Sequence, residues 1–175
     1  MQRHGFLLLA LLSMECTVLA QEPRYNLGGT PTEAEIQAVD TLVDQDGKIL
    51  PQGQGTATQG ATHYAQRCAM CHGPNGEGTD TPAGRGPDLV AANQQGTDGI
   101  RHMYFSTILF SYIYRAMPLH QQGTLSVDQT YALTAFLLYR NGIIREDEVM
   151  NAKSLPAVKM PNREEWPPSG LSTSF

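Results

Sequence analysis

Cys68-Ala69-Met70-Cys71-His72 is the stretch on which the reading of this chain turns. Two cysteines three positions apart, followed at once by histidine, carry the spacing of covalent haem attachment. Near the end of a helix, each thiol adds to one vinyl group of a haem, and the next residue lies under the iron as proximal imidazole. Three other chemistries use paired cysteines, and each lacks something here. A zinc site needs a fourth ligand from a distant His63, His102 or His120. A thioredoxin-like redox pair needs a βαβ setting, and no strand pattern surrounds the motif. A disulfide between such near neighbours closes a very small loop and adds little stability.

Downstream, Met103, Met117, Met150, Met160, His102 and His120 are candidates for the sixth iron ligand. Met117 is preferred. In Arg115-Ala116-Met117-Pro118 the proline ends the preceding helix, so the thioether projects from a fixed loop. A thioether opposite imidazole raises the reduction potential and leaves no open position for substrate. His120 is the alternative ligand and would lower the potential; Met117 as a plain core filler is the other reading. In Gly86-Pro87-Asp88-Leu89 the Pro87 carbonyl can accept from His72 Nδ1 and orient the ring, or Pro87 is simply a turn residue. Arg85 reads as a propionate partner or as a solvated charge.

The whole chain bounds what surrounds this motif. It has 175 residues and a net charge of −5, with 12 Lys+Arg against 17 Asp+Glu. That is one domain plus extensions, and the acidic balance argues against a nucleic-acid partner. Residues 1–20 read as a signal peptide: Arg3 and His4 precede the apolar run Phe6–Leu12, and Val18-Leu19-Ala20 supplies a cleavage site. The run is too short to span a bilayer, so no membrane span is expected after cleavage, and export to the periplasm is. Cys16 leaves with the signal, so Cys68 and Cys71 are the cysteines of the mature protein.

Residues 21–55 read as an irregular extension with one short helix, capped by Thr30, begun by Pro31 and ending near Asp40. Asp44-x-Asp46-Gly47 lacks the later ligands of a calcium loop and reads as a turn. The haem domain is expected over 56–142: a helix from Thr56 or Thr58 bearing Gly60 and Tyr64 on one face, then loop over Gly73–Gly86. A helix follows over Tyr104–Arg115 with Ile108, Leu109, Tyr112 and Ile113 on a face toward the haem or the core. Another runs from the capping box Ser126-Val127-Asp128-Gln129 to about Tyr139. Residues 143–175 form a C-terminal extension and tail.

Together these motifs resemble a class I cytochrome c, which implies an all-α fold whose first and last helices cross at Gly60/Tyr64 and about Leu133/Phe136. A narrower resemblance runs along nearly all of the mature chain. Thr32–Ile36, Gly53-Gln54-Gly55-Thr56, Arg115–Pro118, Tyr131–Ala135, Asn141-Gly142-Ile143 and Met160-Pro161-Asn162 are similar to the cytochrome subunit of Sox-type sulfane or sulfite dehydrogenases. That subunit often carries a second haem domain; this chain holds one C-x-x-C-H. The resemblance implies one haem c on Cys68, Cys71 and His72 with Met117 as distal ligand. It also implies a molybdenum-cofactor partner subunit of the sulfite oxidase superfamily and a soluble acceptor cytochrome. The extensions, longer than a free shuttle requires, are expected to lie against that partner. Two rivals stand beside this electron-transfer subunit: a freely diffusing electron carrier, and a haem enzyme with an exchangeable distal ligand.

Overall fold

The computed structural model describes residues 28–39, 43–81 and 84–166. The expected signal peptide and the tail beyond Trp166 lie outside them. The chain divides into the units Met1–Thr32 and Glu33–Phe175, and every element named below belongs to the second.

Among the described residues, five α-helices and two minimal two-stranded sheets build it, with short 3-10 turns between them: α1 (Glu33–Val39), β1 (Gln54–Gly55), α2 (Ala57–Arg67), α3 (Ala69–His72), β2 (Thr79–Thr81), β3 (Gly84–Gly86), α4 (Ser106–Ala116), α5 (Val127–Arg140) and β4 (Met150–Asn151). Both long-range helices start at reciprocal caps. Thr56 N donates to Gln59 Oε1 at 3.0 Å while Gln59 N returns a bond to Thr56 Oγ1. Ser126 and Gln129 repeat the arrangement at the head of α5. Nine consecutive residues of α5, Thr130–Leu138, are buried, so this helix is the centre of the core rather than one of its walls.

α2 crosses α5 at Gly60. A Cβ there would sit 2.6 Å from Phe136 Cβ and meet the Ala132 carbonyl, so the two backbones touch where the side chain is missing. One turn on, the Tyr64 and Phe136 rings meet with centroids 5.0 Å apart. The all-α class I cytochrome c architecture holds, with small additions. The stretch Gly73–Gly86, expected as loop, folds its end into the antiparallel hairpin β2–β3, and β1 pairs with β4. α1 begins at Glu33 rather than at Pro31. α4 starts at Ser106 and buries Leu109, Phe110 and Ile113, whereas Ile108 and Tyr112, expected inward, are exposed. Asp44–Gly47 is a turn, with Gly47 N donating to Asp44 O at 3.1 Å.

The segments on either side of residues 56–142 contribute to the same core. Val43, Leu50, Met150, Leu155 and Met160 are buried in the same cluster as Tyr64 and Phe110. Tyr131 Oη donates to Pro51 O at 2.9 Å, and burial pushes that phenol up to about 12. Ser106 Oγ donates to Leu155 O at 2.6 Å, and the Arg163 guanidinium sits 4.0 Å from the Phe105 ring centre. These segments thus bury apolar side chains in this chain's own core, while Ile49, Val149 and Trp166 remain exposed. Among the described residues no helix is long and apolar enough to cross a membrane.

Asn141, fully buried at the end of α5, ties the helix to the segment after Pro87. Its Nδ2 donates to Leu89 O and Leu137 O at 2.9 and 2.8 Å, and its Oδ1 accepts from Ala91 N at 3.1 Å. Asn141→Leu strands those backbone groups without water. Denaturant unfolding of the variant is expected to lose about 2–3 kcal/mol, the cost of buried polar groups left unpaired. A loss under half a kcal/mol would show that the amide is not the tie.

Candidate functional site

The helix that delivers the cysteines breaks where the first of them stands. α2 ends at Arg67, Cys68 has φ −120° and ψ −38°, and α3 adds a single turn in which Cys71 N and His72 N donate to Cys68 O at 3.1 and 2.9 Å. That turn brings both sulfurs and the imidazole to one side. The two cysteines form no disulfide, and burial, opposed by the Arg67 charge, pushes the Cys68 thiol up to about 11.

His72 Nδ1 lies 2.8 Å from the Pro87 carbonyl. A carbonyl oxygen only accepts, so Nδ1 carries the proton and Nε2 keeps its lone pair for a metal. The approach is close because residue 86 is glycine: a Cβ there would lie 2.8 Å from His72 Nδ1 and 2.7 Å from Cys71 O. Beneath the turn, Tyr64 Oη donates to Gly73 O at 2.9 Å, and burial holds that phenol well above its ordinary value.

Cys68, Cys71, His72, Arg85, Pro87 and Met117 all line one cavity of about 640 Å³, walled by the buried Tyr64, Ile113, Leu133 and Leu137. Of the six distal candidates, Met117 alone lines it. Met150 and Met160 are buried in the core, and His120 is exposed in a left-handed turn with φ 72°. His102 Nδ1 bonds Gly99 O at 2.5 Å. Arg85 stands opposite Asp80 across β2–β3 and pairs with it at 2.6 Å, both side chains more than 70% exposed, which is worth about 0–1 kcal/mol. Among the described residues no group of three or more His, Cys, Asp or Glu is placed to hold a metal ion, which leaves zinc without its ligand set.

This donor set and shape fit a haem. Two thiols flank an imidazole whose second nitrogen is already engaged, a thioether shares the cavity, the walls are apolar, and a glycine cradles the proximal ring. The volume falls in the range of small-molecule and cofactor sites, about 300–1,000 Å³.

Tyr112, read as facing the haem or core, lines this cavity, as do Arg67, Gln121 and Leu119, which the residue-by-residue reading missed. Arg67 had one signal, its place directly before Cys68. A second, shallower depression gathers Glu77, Asp80, Asp88 and Asp98. Its carboxylates serve the chain itself: Glu77 accepts from Asn75 N at 2.7 Å, and backbone hydrogen bonds hold it below the usual carboxylate range. Asp88 accepts from Gly99 N at 3.0 Å.

Comparison with known proteins agrees with this geometry. The family described as cytochrome c oxidase, cbb3-type, subunit III, matches residues 55–137. The sulfane dehydrogenase SoxCD from Paracoccus pantotrophus is similar at 36% identity and a TM-score of 0.65, over 84% of this chain and 73% of that one. Thiosulfate dehydrogenase TsdBA from Marichromatium purpuratum overlaps at 24% identity and a TM-score of 0.35, over 47% of this chain and 17% of that one, a partial overlap only. No curated protein sequence matches significantly.

Proposed function

The chain belongs to the class I cytochrome c family, and from that premise we propose that it is the monohaem electron-transfer subunit of a periplasmic, molybdenum-dependent sulfite or sulfane dehydrogenase. The observation that carries this reading is the likeness to SoxCD along most of both chains. In this reading residues 1–20 direct export, 21–55 and 143–175 are extensions, and 56–142 hold one haem c.

When bound, the haem supplies a one-electron iron couple. Cys68 and Cys71 hold it through thioether links, so that it is retained whatever its affinity. Pro87 fixes the His72 ring and its tautomer, which leaves Nε2 for the iron and raises its basicity. Met117 would supply the second protein ligand to the iron and so keep substrate off it, and the chain would then relay charge without converting sulfur compounds itself. Tyr64, Leu133 and Leu137 exclude water, which favours the less charged, reduced form. Arg85 stays available to a propionate only by sharing its charge with Asp80. Met70, Tyr112 and Leu119, each more than half exposed, rim the cavity on the side open to solvent. In the proposed cycle the chain takes electrons one at a time from the dehydrogenase and passes them to a soluble cytochrome.

Coexpression with a molybdenum-cofactor subunit of the sulfite oxidase superfamily tests this. The two chains should copurify, and adding sulfite or a sulfane donor should reduce the cytochrome spectrum. A cytochrome that elutes alone and stays oxidised would sink the assignment. A freely diffusing carrier is the second reading, favoured by one observation: the extensions pack into this chain's own core.

Replacing Met117 by alanine tests the distal ligand. The weak far-red methionine-to-iron band of the oxidised protein should vanish, the potential should fall, and the reduced protein should take up carbon monoxide. If band and potential both persist, the iron is held by another side chain.

A further inference from the structure

We propose that Arg67 is a positioning residue for the distal-ligand loop, closing a hydrogen-bonded strap from the helix that carries the haem motif to the loop that carries Met117. This rests on the reading of Met117 as iron ligand.

Arg67 is the last residue of α2 and directly precedes Cys68. Its Nη2 donates to Thr124 Oγ1 at 2.6 Å and to Gln121 Oε1 at 3.3 Å. The chain of bonds continues. Thr124 Oγ1, accepting from Arg67, gives its own proton to Gln121 O at 2.8 Å, and Gln121 N donates to Pro118 O at 2.9 Å. The residue before Pro118 is Met117. One guanidinium is thus linked by successive hydrogen bonds to the neighbour of the proposed ligand, and Arg67, Cys68, Met117, Pro118 and Gln121 all line the same cavity.

From Leu119 to Thr124 every residue is exposed, and regular structure resumes only at the Ser126 cap. Among the described residues, the hydrogen bonds that tie 118–124 to another element are the two from Arg67. A loop without buried side chains takes its position from such bonds, and a bond from a charged donor is the strong kind. No carboxylate pairs with Arg67 among the described residues, so its donors are not spent elsewhere. The strap keeps the thioether in place and the distal side closed to small ligands.

The experiment uses the full holoprotein, the single variants Arg67→Gln, Arg67→Lys, Thr124→Val and Met117→Ala, and the double variant Arg67→Gln with Thr124→Val. Carbon monoxide association with the reduced form is measured in the cold, where all are folded, together with the far-red band. Arg67→Gln and Thr124→Val should each speed association by on the order of tenfold and weaken the band, as loss of a charge-assisted bond shifts the closed–open balance by at least that factor. Arg67→Lys, which keeps one charged donor, should fall between Gln and wild type. A double variant should be no faster than Arg67→Gln alone, because both changes break one link.

If Met117→Ala opens the site while Arg67→Gln and Thr124→Val leave association unchanged, the strap is wrong and the ligand is right. A lowered melting temperature with unchanged association likewise overturns it, by showing a purely structural bond. If Met117→Ala also changes nothing, the ligand reading itself has failed. Should Arg67→Gln not load haem, Thr124→Val decides, since it cuts the same link away from the cysteines.

Discussion

A protein carrying Cys68→Ala together with Cys71→Ala is expected to give up all of its pigment to acidified acetone, where the unaltered protein gives up none. The thiols stand at the two ends of the single turn formed by bonds to Cys68 O, so both sulfurs can reach one porphyrin edge while His72 stays beneath the iron. Removing both leaves only the ligation by His72 and Met117, which acid destroys by protonating the imidazole. The effect extends beyond colour. The group that fills this site covers the inner faces of Tyr64, Leu133 and Leu137 around about 640 Å³. Filling the site shields those apolar faces from water, so without added haem the double variant is expected to be less stable than the unaltered protein. Acid-acetone extraction and haem staining after denaturing electrophoresis read the first consequence; far-ultraviolet circular dichroism reads the second. Pigment surviving extraction in the double variant would mean that another side chain makes the link. The single variants should retain covalent colour through the remaining thioether.

What was legible in the sequence was legible because it is local. The cap at Ser126 needs only a partner three residues on and forms as read, and Thr56, one of the two starts read for the earlier helix, makes the same arrangement with Gln59. Gly60 and Tyr64 share a face by helical spacing alone, and that face meets Ala132 and Phe136. The stretches that escaped are set by partners far along the chain. β1 and β4 are two residues each, with Gln54 opposite Asn151, too short to show any alternation. The hairpin Thr79–Gly86 is polar and glycine-rich, without the apolar rhythm of a strand. α4 holds Ile108, Leu109, Phe110, Tyr112 and Ile113, enough apolar residues for two faces. Only the contacts with α5 and with Leu155 decide that Leu109 and Phe110 go inward while Tyr112 rims the cavity. Leu50, Met150, Leu155 and Met160 are single apolar residues in Pro-, Asn- and Gly-bearing stretches, so no periodicity announced that the extensions are core. In the candidate site, the cysteines and His72 declare themselves by spacing. The bonds from Arg67 to Gln121 and Thr124, 54 and 57 residues away, do not.

Gly60→Val is expected to lower the stability of the folded protein by about 3 kcal/mol or more, and the size of the effect follows from two opposed terms. In a helix interior valine is the better former, by roughly half a kcal/mol over glycine. Against this stands the crossing. The added Cβ would lie 2.6 Å from both the Ala132 carbonyl carbon and Phe136 Cβ, and none of these is the far end of a flexible side chain that could swing away. Relief requires α2 to lift off α5, and α2 carries Tyr64 and, at its end, Arg67 and Cys68. Overpacking of side chains costs about 1–3 kcal/mol, and a clash against a helix backbone lies at or above the top of that range. The clash term wins by several-fold. Lifting α2 also moves the cysteines and the proximal turn away from Leu133 and Leu137, so haem loading should fall with stability. Gly60→Ala, which regains more helix propensity with a smaller side chain, should be damaged less but in the same direction. Thermal unfolding followed in the haem absorption band, and haem content per chain, measure both. A Gly60→Val protein that loaded haem normally and melted within a few degrees of the original would show that α2 and α5 do not touch at this glycine.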